Sequence, residues 1–299
     1  MSNAASTAQS SAALSAAGSP PYRQVRDFSA TISTGFAYIR AHRGTLYRPL
    51  FFICLPVKIV ASVLLGSFFH DFRPGRMPGT TSFWSMFGGY ALMALAYIIA
   101  AVVICEYMGW TMRHPGKRPG LGEVWRETRR NLLFYLALSL VTAAMTFMGF
   151  FVLLAPFFFL LVVFQFSYPL HAFERADFGE CIGRAFTLAW GRWWMTFALL
   201  LVLVGMSVFL NLVIDLPGWL ITGFGWLSGI EGMGGDAEDV GWRLRWFFTL
   251  FALIGNVSAL LLMPFVQVPM CFHMLSTLEK KEAPGLLAEV ERFNIDEKD

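Results

Sequence analysis

Charge is scarce in this chain. Only 14% of its 299 residues are Asp, Glu, Lys or Arg, against 56% hydrophobic and 16% aromatic. A soluble domain carries about a quarter charged residues, so an ordinary water-soluble globule is excluded. Cysteine is sparse too: Cys54, Cys105, Cys181 and Cys271 lie in or beside apolar segments with no C-x-x-C spacing. That pattern indicates neither a disulfide framework nor a zinc site. The five histidines (His42, His70, His114, His171 and His273) are scattered along the chain and suggest no metal cluster. H-E-x-x-H, G-x-S-x-G and G-x-x-x-x-G-K-[ST] are all missing, so no enzyme chemistry and no cofactor are indicated. Nucleic-acid binding is not expected either, because the basic residues are spread over several membrane-proximal segments. Residues 1–20 are Ala/Ser-rich and lack lysine and arginine. They therefore read as an uncleaved disordered tail rather than a signal peptide.

What is present is a set of long apolar runs: Leu50–Phe69, Phe83–Trp110, Leu132–Phe173, Trp194–Ile214 and Phe247–Met274, in a chain of mean hydropathy +0.57. A helix must place about 20 apolar residues in the hydrocarbon core, where only the helix itself satisfies its backbone polar groups. The third run would reach roughly 60 Å as a single helix, twice a bilayer's core. It must turn, and Leu154-Ala155-Pro156 is the expected place because proline suits the first turn of a new helix. Six crossings follow.

Lysine and arginine counts orient them. The N-terminal stretch, the second-to-third and fourth-to-fifth connections and the tail hold 18, whereas the opposite loops hold only Arg73, Arg76, Arg243 and Arg245. Both termini are therefore expected on the cytoplasmic side of a bacterial inner membrane. The expected organisation is a tail over 1–21, a membrane domain over 22–278 and a charged cytoplasmic tail over 279–299. The outer segment Gly218–Leu227, with Trp219 and Trp226, reads as interfacial or re-entrant. Beyond it, Glu231, Asp236, Glu238 and Asp239 read as a solvated acidic loop, since EF-hand spacing is missing.

A unit repeats. Phe28, Ile32 and Phe36 recur 150 residues later as Phe178, Ile182 and Phe186, on one face of a helix. A shorter middle copy begins Leu121-Gly122-Glu123-Val124 and ends in Arg129-Arg130. The units span about 24–112, 120–173 and 177–276. Two readings are open: each basic stretch lies in the cytoplasmic interface with its apolar stripe on acyl chains, or it is an N-terminal extension of the following span. The resulting fold class is an all-α polytopic membrane helix bundle of about six transmembrane helices plus three cytoplasmic interfacial amphipathic helices.

The segment Phe178-Gly179-Glu180-Cys181-Ile182-Gly183-Arg184-Ala185-Phe186-Thr187-Leu188-Ala189-Trp190-Gly191-Arg192-Trp193-Trp194 resembles a motif of bacterial six-span proteins. It is similar to the membrane domain attached to some glycerophosphoryl diester phosphodiesterases. The resemblance covers about residues 24–276 and implies an architecture without an activity; the catalytic barrel of those enzymes has no counterpart here.

Three buried polar candidates stand out. Lys58 lies in the middle of an apolar run and calls for a counter-charge or water; Glu106, on the antiparallel second span, is the best available one. Gln267 sits between Pro264 and Pro269, which can open a helix around a site. Candidate headgroup contacts are Arg40, Arg43, Arg129, Arg130, Arg184 and Arg192. The function these features favour is a non-enzymatic module that organises lipids, anionic ones in particular, or a membrane protein partner. The alternative is a small-solute transporter or exporter using Lys58, Glu106 and the Pro264–Pro269 break.

Overall fold

The computed structural model describes residues 22, 24–71, 79–152, 154–230 and 237–282. The acidic loop at 231 and 236, Arg73, Arg76, the tail 1–21 and residues 283–299 lie outside them, as do the side chains of Trp219, Trp226, Glu238, Asp239, Arg243 and Arg245. The described chain is all-α. Its helices are α1 (Phe28–Asp71), α2 (Thr80–Arg113), α3 (Leu121–Val152), α4 (Leu154–Phe164), α5 (Ser167–Glu174), α6 (Phe178–Ala189), α7 (Trp193–Ile230) and α8 (Ala237–Glu282). Six helical segments are long and apolar enough to cross a bilayer: 28–68, 80–113, 121–152, 154–174, 193–217 and 253–282. The chain is a multi-pass integral membrane protein.

The expected hairpin forms between Val152 and Leu154. It closes tightly because Gly149 leaves room: a Cβ there would stand 3.0 Å from Leu160 Cδ1 and 3.2 Å from the backbone at Pro156 and Phe157. Phe150 and Phe157 meet edge to face with centroids 5.8 Å apart.

The three repeat copies do not end alike. The first two basic stretches continue without a break into their spans, as α1 and α3. Their buried faces explain the continuity. Leu46 and Leu50 carry one stripe across the junction in α1, and Val124, Thr128, Tyr135 and Leu138 do so in α3. The third copy is a separate helix, α6, broken from α7 at Trp190-Gly191-Arg192, where Gly191 adopts φ 81°. Ala41 and Phe134 fall at the matching places in the other copies, and a Cβ opposes a positive φ.

The apolar stripes also face protein, not only lipid. Phe178 packs against Phe134 at 6.0 Å and Phe186 against Phe164 at 5.8 Å. Phe36 packs against Phe265 at 5.5 Å. The outer segment 218–227 continues α7 rather than forming an element of its own.

The chain divides into two compact units. The first comprises the described parts of Met1–Pro49, Ala101–Leu203 and Pro264–Asp299. Here residues 101–111 of α2 and 267–278 of α8 are buried on every face. Two small residues admit close approach: Gly35 sits on Pro269, and Gly109 on the Ala172 carbonyl, where an added Cβ would come within 2.6 and 2.5 Å. The second unit comprises the described parts of Leu50–Ala100 and Val204–Met263. Its buried α1 positions are Leu50, Cys54, Lys58, Ala61, Ser62, Leu65 and Gly66, one helical face.

Candidate functional site

In the first unit, the all-round burial of α2 places the Glu106 carboxylate at zero exposure. Charge there demands donors. One oxygen, Oε1, accepts from Arg175 Nη1 at 3.0 Å, Asn131 Nδ2 at 2.9 Å and the Tyr135 hydroxyl at 2.9 Å. The other, Oε2, lies 3.8 Å from Arg113 Nη2 and has no hydrogen-bond partner among the described residues. Arg175 is well placed because it terminates α5 in the left-handed region, φ 56°, with its N–H donating to His171 O. Its second guanidinium nitrogen reaches Glu127 at 2.8 Å. Arg113 donates to the Ala172 carbonyl at 2.7 Å, across the gap that Gly109 leaves.

Aromatic rings enclose this ionic cluster. His171 stacks on Phe134 at 3.8 Å and meets Tyr135 edge to face at 5.1 Å. Its Nδ1 faces the Ala176 carbonyl at 2.9 Å, while Nε2 is buried and has no hydrogen-bond partner among the described residues. The arrangement ties α2, α3 and the α5–α6 connection through one carboxylate. In the sequence Arg175 is marked only by its place directly after the fourth span.

Lys58 belongs to the second unit and is not among the partners of Glu106. Its ammonium is fully buried, lies 4.1 Å from the centroid of the Tyr97 ring and has no hydrogen-bond partner among the described residues. One turn along α1, Ser62 Oγ donates to Lys58 O at 2.8 Å and accepts from Asn256 Nδ2 at 2.7 Å.

Gln267 lies in the first unit, where its amide reaches Cys105 Sγ at 3.3 Å; Cys105 and Cys271 Sγ are 3.8 Å apart. The opening expected around it is not formed, since α8 runs unbroken through Pro264 and Pro269.

The six candidate arginines stand in three different settings. Arg40, Arg43, Arg129 and Arg130 are exposed, and among the described residues no carboxylate pairs with them. Arg192 is half-buried. Arg184, by contrast, is held by Glu174 at 2.6 Å, Glu180 at 3.2 Å and Glu282 at 2.6 Å. Partial burial pulls its pKa down, but the Glu174 and Glu282 carboxylates outweigh this and raise it. Nearby, Lys281 donates to the Trp190 carbonyl at 2.7 Å, capping the end of α6. Two polar residues of the first basic stretch turn inward: Arg26, 5.1 Å from the Phe272 centroid, and His42, stacked on Tyr38. Burial lowers the Arg26 pKa.

Among the described residues, no three His, Cys, Asp or Glu side chains converge as metal ligands. Comparison with family models, curated proteins and solved structures finds no match for this chain.

Proposed function

We propose that this protein is a non-enzymatic module of the bacterial cytoplasmic membrane that gathers anionic lipids, with both termini cytoplasmic, and that offers this lipid-coated face to a membrane protein partner. One observation carries the reading: Arg40, Arg43, Arg129 and Arg130 stand exposed, and among the described residues no carboxylate forms an ion pair with them. Arg129 lies on the same face of α3 as Leu133, 81% exposed, which places a cation next to acyl-facing surface. Each arginine near an anionic membrane surface contributes about 1 kcal/mol. The resemblance of the segment 178–194 to the membrane domain found beside some phosphodiesterases fits a module that works without its own chemistry.

The test is native mass spectrometry from nanodiscs of mixed anionic and zwitterionic lipid. Wild-type protein is expected to retain anionic lipid preferentially, and the fourfold change of Arg40, Arg43, Arg129 and Arg130 to Gln to abolish the preference. Arg184→Gln serves as the control, because that side chain is already neutralised and its loss loosens α6 without altering lipid choice. Equal lipid retention by wild type and the fourfold variant sinks the reading.

A second reading, transport of a small solute, draws on the unsatisfied polar atoms Lys58 Nζ and Glu106 Oε2. Proteoliposome flux that is unchanged by Lys58→Met and Glu106→Gln counts against it.

A further inference from the structure

Lys58 is the only described lysine or arginine of the second unit with a described side chain, and its setting is a built one. Three helices contribute: Lys58 and Ser62 from α1, Tyr97 from α2 and Asn256 from α8. Lys58 is fully buried and Ser62 and Asn256 nearly so, at 1% and 5% exposure. An ammonium has three N–H donors, and among the described residues none of the three finds an acceptor. The face of Tyr97 supplies electrostatic attraction but no lone pair. The acid of this unit with a described side chain, Asp215, packs over Gly255 and acts electrostatically on Tyr97, and among the described residues it forms no ion pair with Lys58. A lysine left in this state within an apolar span is costly, and an acceptor brought from outside the chain relieves it.

We propose that Lys58, Ser62, Tyr97 and Asn256 form an intramembrane site for an organic carboxylate. The carboxylate accepts from the Lys58 ammonium and from the amide N–H of Asn256 that Ser62 does not use. The charge count sets the class. Lys58 brings one positive charge and Ser62, Tyr97 and Asn256 are neutral, so a monoanion balances the charge of these four side chains. A doubly charged phosphate monoester leaves one uncompensated. The surroundings set the rest of the ligand: the site lies within an apolar span, and Tyr97, whose ring stands 4.1 Å from the ammonium, is 39% exposed, which suits an aliphatic tail. A water-soluble short-chain carboxylate and a fatty acid share this chemistry. The site is independent of the exposed arginines of the first unit.

The experiment is thermal unfolding of the full chain in zwitterionic nanodiscs. One arm compares sodium butyrate with sodium chloride at equal ionic strength, and the other compares oleate with its neutral methyl ester. The unfolding midpoint is expected to rise with at least one carboxylate over its control. Lys58→Met, which removes the unsatisfied charge, keeps the fold and loses the rise; Lys58→Arg keeps part of it. A rise with butyrate alone identifies an aqueous solute, one with oleate alone a lipid-derived acid, and one with both a site indifferent to chain length. No rise in either arm, or an equal rise in Lys58→Met, overturns the proposal.

Discussion

Arg175 Nη1 reaches Glu106 Oε1 at 3.0 Å across 69 positions of sequence, from a half-exposed loop to a fully buried carboxylate. The two ends of this contact are not equivalent. Arg175 keeps solvent and Glu127 as alternatives, whereas Glu106 depends on its neighbours and they on it.

Replacing Glu106 by Ala strands the Tyr135 hydroxyl and the Asn131 amide, while Arg175 keeps Glu127 and solvent. The expected loss is about 1–3 kcal/mol, as for leaving buried donors without their acceptor. Glu106→Gln keeps an acceptor at Oε1 and is expected to lose roughly half as much. Denaturant titration in mild detergent checks the order; equal losses would mean that the acceptor role is unimportant.

Glycines give a paired comparison. A Cβ at Gly109 would meet the Ala172 carbonyl oxygen at 2.5 Å, and backbone cannot step aside cheaply, so Gly109→Ala is expected to cost about 1–3 kcal/mol. Gly44 lies within α1 with nothing within 4 Å, so Gly44→Ala is expected to stabilise by up to about 1 kcal/mol through helix propensity. Thermal midpoints of the two variants should move in opposite directions.

The Cys181 thiol is buried in α6, outside the spans, and donates to the Ala176 carbonyl at 3.4 Å. Burial raises its pKa to about 12. The folded state therefore holds the thiol proton more tightly than the unfolded one. This contribution to stability is complete below about pH 9 and is lost as pH climbs toward 12. Maleimide labelling followed by peptide mapping should find Cys181 unreactive in native protein at pH 8 and reactive after unfolding. Rapid native labelling would show that α6 does not stay docked.

Orientation has its own measurement. A reporter that works only in the cytoplasm, fused after Glu279, is expected to be active, and one that works only outside to be silent. The opposite result reverses the topology expected from the arginine and lysine distribution.

Composition and run length were enough to read six crossings and the hairpin, because the bilayer imposes both on any chain. The turn before Leu154 was legible from length and Pro156 together. The state of the three basic stretches was not: Ala41, Phe134 and Gly191 decide whether the helix continues, and only φ at Gly191 reveals the break. The partner of Glu106 was hidden for another reason. Helical periodicity tells which face a residue occupies, but not which of several distant arginines arrives there. Lys58 and Glu106 looked complementary along the chain, yet burial of the Glu106 end of α2 among α3 and α5 favoured donors from those helices.

The α3–α4 hairpin has a consequence for how the protein is made. From Phe147 to Phe164 the chain carries no polar side chain, and its turn is closed by Gly149 packed on Pro156 and Phe157. A ribosome feeding this stretch into the insertion machinery offers no hydrophilic loop to be anchored on the far side of the bilayer. Neither helix has a natural stopping point without the other. The two should leave the insertion channel as one preassembled pair, and a stall between them would leave Phe150 and Phe157 without the ring each one packs on.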